Sequence, residues 1–183
     1  HVEGDVDPIR DAETVETELM LADLDSLERR VDAAGKKARA KDKQALKEMP
    51  VMTRILKALR EGRPARVITD WSREERVIVR RLQLLTTKPV LYVCNVDEES
   101  AADGNALSAR VAERAATEGA ETVIISAAIE AEISQLPSAE EKQEFLDTLG
   151  LAEAGLARLI ASGYRLLDLI TFFTVGPKEA RAW

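Results

Sequence analysis

Apolar residues recur at threes and fours from about Asp11 to Lys37, at Val15, Leu19, Ala22, Leu24, Leu27 and Val31, with charged residues between them. This spacing gathers the apolar positions on one stripe and predicts a single long amphipathic helix. Ahead of it, residues 1–11 are polar and turn-rich. Asp7-Pro8 suits an N-cap followed by the first helical position. A second helix is predicted from about Asp42 to Glu61, with Leu46, Met49, Ile55, Leu56 and Leu59 apolar. Pro50 lies inside it and predicts a kink or a short break, because proline removes a backbone donor and crowds the preceding turn. Gly62-Arg63-Pro64 closes the pattern. The connection around Lys41 is short, which favours antiparallel neighbours. The expectation is a protruding antiparallel helical hairpin, close to a coiled coil. Two ordinary surface helices of a compact bundle is the competing reading.

Beyond the link Ala65–Thr69, Ser72 and Glu75 form a capping-box pattern. They start a helix carrying Val77, Ile78, Leu82 and Leu85 and reaching Thr86. The pattern then changes. Val90, Leu91, Tyr92 and Val93 form a nearly unbroken apolar run, bounded by Pro89 and by Asn95-Val96-Asp97-Glu98. Such a run predicts a strand covered on both faces. A helix over about Ala106–Glu118 follows, with Leu107, Val111 and Ala115 apolar and Gly119 as its C-cap. Glu121–Ser126 is a second strand. Strand, helix, strand at these lengths predicts a right-handed βαβ unit with parallel strands. Its two C-terminal loops, Asn95–Glu98 and Ser126–Ala128, then share the sheet edge where open α/β sheets bind ligands. Further helices are predicted over Ile129–Leu136, from Ser138 to Leu149, and over Glu153–Leu169. Thr171–Val175 and Ala180–Trp183 read as strands around Gly176-Pro177. The fold class is α/β and helix-rich.

Composition narrows the chemistry. Aromatic residues make up 4% of the 183, which argues against an aromatic nucleic-acid platform. The net charge of −7 disfavours a generic nucleic-acid binder. The sign inverts locally, however. Arg29, Arg30, Lys36, Lys37, Arg39, Lys41, Lys43 and Lys47 crowd the hairpin tip against only Asp32 and Asp42. The tip is either a phosphate-backbone contact or a solvated charged face. His1 is the only histidine and Cys94 the only cysteine, so neither a histidine triad nor a thiolate cluster is available. Cys94 reads as a small apolar strand residue, with a redox switch as the alternative. A single cysteine and no signal-peptide or membrane-span pattern fit a reduced, cytoplasmic setting. The acidic pairs Asp97/Glu98/Glu99 and Glu140/Glu141 read as solvated or helix-dipole charges. A start at His1 and a strand-like end suggest a piece of a longer protein.

Asn95-Val96-Asp97-Glu98 has the spacing of the base-reading motif of P-loop GTPases, Asn-Lys-x-Asp, with Val96 for the lysine and Glu98 for the final aspartate. The longer Glu98 weakens the argument for guanine, and Asn95 can pair with N6 and N7 of adenine. Ser126-Ala127, one strand later, matches the second base-supporting loop of that fold. The alternative is two polar loop ends with no ligand. The resemblance extends beyond the loops. His1–Asp11, Glu18–Leu24, Leu82–Thr86 with Lys88–Val96, Ser126–Ile133 and Gly163–Trp183 are similar, in order, to the YchF-type Obg-like ATPases.

That resemblance implies a partial P-loop nucleotide-binding domain. Residues 1–11 and 70–170 would belong to it, 12–69 would be a helical coiled-coil insertion, and 171–183 the start of a TGS domain. It implies ATP hydrolysis with some GTP activity, a need for Mg²⁺, and association with the ribosome. Asn95, Val96 and Glu98 would read the base, with Ser126 and Ala127 in support. Lys36, Lys37, Arg39, Lys41 and Lys43 would be candidates for contact with ribosomal RNA. No Gly-x-x-x-x-Gly-Lys-Ser/Thr occurs in the sequence. Neither catalytic residues nor Mg²⁺ ligands are therefore assigned, and the chain alone is expected to be inactive. A non-catalytic RNA- or ribosome-binding module is the other functional reading.

Overall fold

The computed structural model describes residues 6–183. The turn-rich opening read from the sequence lies partly, at residues 1–5, outside the described residues. Contacts divide the chain into two compact units, one ending at Pro89 and one running from Val90 to Trp183.

The first unit is built on α1 (Pro8–Arg39) and α2 (Lys43–Arg60). Asp7 caps α1, accepting the Ile9 N–H at 3.1 Å, with Pro8 at the first helical position. The chain reverses within Ala40–Asp42, where Lys41 takes φ 61°, and Asp42 caps α2 through the Ala45 N–H at 2.8 Å. The helices run antiparallel. Glu28 of α1 pairs with Arg60 at 2.7 Å, and Glu16, nearer the start of α1, pairs with Arg66, which follows α2. Between them Leu27, Ala34, Val51, Met52, Ile55 and Leu59 are buried.

Two expectations change here. Of the kink or short break expected at Pro50, the break is absent, since α2 is helical throughout. The carbonyl left without its donor is that of Leu46, on an exposed residue where water can serve it, while Val51, Met52 and Ile55 anchor the far side of the turn. The hairpin is also less isolated than its stripe suggests. The next helix, α3 (Arg73–Leu82), adds Ile78 and Leu82 to the same core, together with Trp71 and Leu84. The Ser72–Glu75 capping box forms as predicted.

The end of α3 differs too. Instead of continuing to Thr86 it stops at Leu82, with Gln83 at φ 55°, and Leu85–Thr87 form a separate tight turn. The cause lies on α1. Asp23, 3% exposed, accepts the Leu85 N–H at 2.8 Å and the N–H and hydroxyl of Thr86, each at 2.7 Å. The Thr86 Oγ1 in turn accepts the Ala65 N–H at 3.1 Å. One buried carboxylate thus fixes segments far apart in the chain, and its desolvation is offset by three donors.

The second unit opens with β1 (Leu91–Asn95), α4 (Ala106–Glu118) and β2 (Glu121–Ile125). The strands are parallel, in register from Leu91↔Glu121 to Asn95↔Ile125. Then come α5 (Ala127–Gln135), α6 (Ala139–Thr148) and α7 (Gly155–Leu166). The helix α7 is shorter at both ends than its apolar pattern suggests. It closes where Asp168 takes φ 52° and the Leu169 N–H meets the Tyr164 carbonyl at 2.9 Å.

Alternating side chains send the two strands toward different helices. Tyr92 donates to Glu118 of α4 at 2.8 Å, whereas Glu121 accepts from Arg165 of α7 at 3.2 Å. β1 is less covered than its composition implies. Val93 is 44% exposed, because it lies on the α7 side and α7 packs mainly on β2. β3 (Phe173–Val175) and β4 (Ala180–Ala182) form the predicted antiparallel hairpin, closed by Phe172 stacked on Trp183.

Replacing Asp23 with Ala leaves the buried Thr86 N–H and hydroxyl, and the part-buried Leu85 N–H, without their acceptor. The expected loss is about 3 kcal/mol in the first unit's unfolding free energy, read by urea denaturation followed by circular dichroism. Asp23→Asn, which keeps an acceptor, should lose less.

Candidate functional site

The register Asn95↔Ile125 brings the ends of the two parallel strands side by side. Two hydrogen bonds join the loops that leave them. The Val96 N–H donates to the Ile125 carbonyl, and the Ala127 N–H donates to the Asn95 Oδ1, both at 2.9 Å. Asn95 is exposed, and its Nδ2 has no partner among the described residues. One amide oxygen therefore braces the second loop, while the amide nitrogen is free to donate to a ligand.

Ser126 occupies the N-cap position of α5 yet makes no capping bond, and it is only 3% exposed. Its hydroxyl oxygen is buried without a hydrogen-bond partner. An unserved buried polar atom is uncommon and calls for a reason. In the first turn of α5 the Ala128 N–H has no acceptor among the described residues, since the first intrahelical bond is Glu130 N–H to Ser126 O. The exposed edge thus holds Asn95 Nδ2 and the Ala128 N–H as open donors, flanking a half-buried Val96, while the Ile129 N–H, also without an acceptor among the described residues, lies on a buried residue. This is a donor set for the edge of a flat ring with lone pairs.

The acidic residues divide. Asp97 is occupied, capping the tight turn Glu98–Ser100 through the Ser100 N–H at 2.9 Å. Glu98 is exposed and makes no such bond. Among the described residues no group of three His, Cys, Asp or Glu side chains could hold a metal ion.

At the hairpin tip of the first unit, Lys36, Lys37, Arg39, Lys41, Lys43 and Lys47 are exposed and have no ion-pair partner among the described residues. Arg29 and Arg30 differ. Arg29 pairs with Asp25 at 2.7 Å, and Arg30 donates to the Leu82 carbonyl at 2.7 Å.

Comparison with known proteins gives the kinship. The chain is 45% identical over 185 residues to the ribosome-binding ATPase YchF of Bacillus subtilis, covering all of this chain and 50% of that protein. It is 46% identical over 183 residues to the ribosome-binding ATPase YchF of Haemophilus influenzae, with the same coverage. The solved YchF GTPase of Schizosaccharomyces pombe superposes on the whole chain with a TM-score of 0.85 at 30% identity, over 50% of that structure. The chain shows strong homology, over its whole length, to the YchF-type Obg-like ATPases. To the rat Obg-like ATPase 1 it is 34% identical over 188 residues. No family model matches it. The chain spans about half the length of the curated relatives it matches.

The structure brings together Asn95, Val96, Ser126 and Ala127 at one edge, with Glu98 in the next turn. The sequence reading missed that the Ala127 N–H is donated to Asn95, leaving Ala128 as the open backbone donor of the exposed edge. It also missed Glu130 and Gly155 behind the site. Glu130, on the first turn of α5, accepts the Gly155 N–H at 2.6 Å. A capping pattern at Ala154 would have pointed to that bond, but Ala154 has no side-chain acceptor. Only tertiary contact reveals it.

Cys94 is half-buried on β1 beside this edge, and burial pushes its thiol above the ordinary value. Little thiolate then forms at neutral pH, which disfavours a redox role. Alkylation by iodoacetamide at pH 8 is expected to be slower than for glutathione and to accelerate in urea. A rate equal to that of glutathione would contradict the burial.

Proposed function

We propose that this chain carries the base-reading half of an ATP-preferring P-loop nucleotide hydrolase that works on the ribosome. The observation carrying the proposal is the Asn95 Oδ1 to Ala127 N–H bond, which holds the two loops of the edge in one frame. With its free Nδ2, Asn95 donates to N7 of a purine. Its Oδ1 has a second lone pair, which accepts from the N6 amino group of adenine. Guanine presents O6 there, an acceptor against an acceptor. Asp97 is occupied as a cap, and Glu98 must supply any carboxylate that would meet the guanine N1–H. As an exposed, longer side chain, Glu98 holds that position less firmly. Val96 lies against the ring, the Ala128 N–H meets one of its remaining lone pairs, and Ser126 is buried in support behind it.

In the whole protein, residues 1–11 and 70–170 belong to the nucleotide-binding domain, 12–69 to the helical insertion and 171–183 to a TGS domain. Hydrolysis of ATP, and less well of GTP, proceeds there with Mg²⁺ in the cytoplasm. The chemistry is positioning and charge at the phosphates, and the present residues contribute the orientation of the base. The support is the kinship to ribosome-binding ATPases together with the site geometry.

The isolated chain is expected to bind ATP weakly, on the order of millimolar, and GTP more weakly. Asn95→Ala should abolish the difference. Titration of the ¹⁵N-labelled chain with each nucleotide reads this. GTP binding more tightly than ATP, or ATP hydrolysis by the chain that is lost in Asn95→Ala, would contradict the proposal.

The second reading, an RNA-binding helical module, is favoured by the tip lysines and Arg39, which have no ion-pair partner among the described residues, and is compatible with the first. Reversing Lys36, Lys37, Arg39 and Lys41 to Glu is expected to weaken ribosome co-sedimentation. It should also lower the slope of log K against log salt by up to about one per lysine or arginine. An unchanged affinity and slope would mark the tip as a solvated face.

A further inference from the structure

Behind the candidate site the N-terminus of α7 is held in an unusual way. Its own N-cap residue, Ala154, offers no side-chain acceptor. Glu130, from the first turn of α5, supplies one instead at 2.6 Å from the Gly155 nitrogen. A carboxylate there also lies at the positive end of the helix dipole. Gly155 is buried, and its bareness matters. A Cβ at that position would lie 3.0 Å from Glu130 Oε1 and 3.0 Å from Ile125 Cγ2. The residue it crowds, Ile125, is the last of β2 and accepts the Val96 N–H through its carbonyl. The helix that Glu130 belongs to begins with Ala127, which donates to Asn95. Both loops of the edge are therefore tied to one point, the start of α7.

We propose that Glu130 and Gly155 form a latch that positions the two loops, and that Glu130 is a positioning residue for base selection. The proposal rests on the nucleotide reading above. Glu130 needs no contact with the ligand. It holds α5 against α7, so that the Ala127 N–H stays on the Asn95 Oδ1 and leaves Asn95 Nδ2 and Ala128 N–H in fixed relation. Gly155 lets α7 approach closely enough for that bond to form. A side chain there would push against Ile125, the residue from which the second loop departs.

The test uses the ¹⁵N-labelled chain with Glu130→Ala, Glu130→Gln and Gly155→Ala, reading amide exchange and nucleotide affinity together. In Glu130→Ala, exchange at Ala127 should accelerate by about tenfold, with Val123 in the middle of β2 changing by less than about twofold. Glu130→Gln keeps an acceptor and should retain most of the protection. The ratio of ATP to GTP affinity should fall toward one in Glu130→Ala and Gly155→Ala and hold in Glu130→Gln. Unchanged exchange at Ala127 in Glu130→Ala would overturn the latch. So would equal acceleration at Ala127 and Val123 with an unchanged affinity ratio, which would mean general loosening. Absence of ATP binding by the wild-type chain would overturn the base reading and the selectivity role, while exchange at Ala127 would still decide the latch.

Discussion

The register of β1 on β2 governs the second unit, because side chains on parallel strands alternate with a period of two. With Asn95 beside Ile125, the Asn95 side chain reaches the first N–H of α5, and Val96 reaches the Ile125 carbonyl. A slip of one residue would send Tyr92 away from Glu118 and Glu121 away from Arg165, and would separate Asn95 from Ala127. The two ion-paired or hydrogen-bonded faces and the candidate site thus specify the same register. A short parallel pair with few residues gains its definition from helices on both faces rather than from its own ladder.

The first unit solves a different problem. Its helices meet along an apolar seam, but the segment leading toward β1 is held by a polar group, Asp23, buried with three donors around it. A buried carboxylate with its lone pairs served is costly to disturb and tolerant of no apolar replacement. The tip shows the opposite arrangement, with Lys36, Lys37, Arg39, Lys41, Lys43 and Lys47 in solvent and without an ion-pair partner among the described residues. Charge at one place fixes the chain, and charge at the other is left available to a partner.

Much of this was legible along the chain because the signals are local. Asn105, Ser108 and Gly119 bound α4 within the residues read from its period, and Ser72 with Glu75 starts α3 as its spacing says. What the sequence hid is set at long range. α3 ends early because Asp23, some 60 residues away, takes the donors of Leu85 and Thr86. Pro50 is tolerated because Leu46 faces water. Asn95 and Ser126 could be named from strand ends, but the spending of the Ala127 N–H on Asn95, and the Glu130–Gly155 bond behind it, exist only once β2, α5 and α7 are placed together.

Photoaffinity labelling with 8-azido-ATP, followed by mass-spectrometric mapping of the adduct, tests the base-reading assignment most directly. The azide sits on the base itself, so the adduct reports where the ring lies. An adduct competed by ATP and confined to peptides containing Asn95–Glu98 or Ser126–Ala128 is the result expected. An ATP-competed adduct elsewhere, or labelling that ATP does not compete, would contradict it.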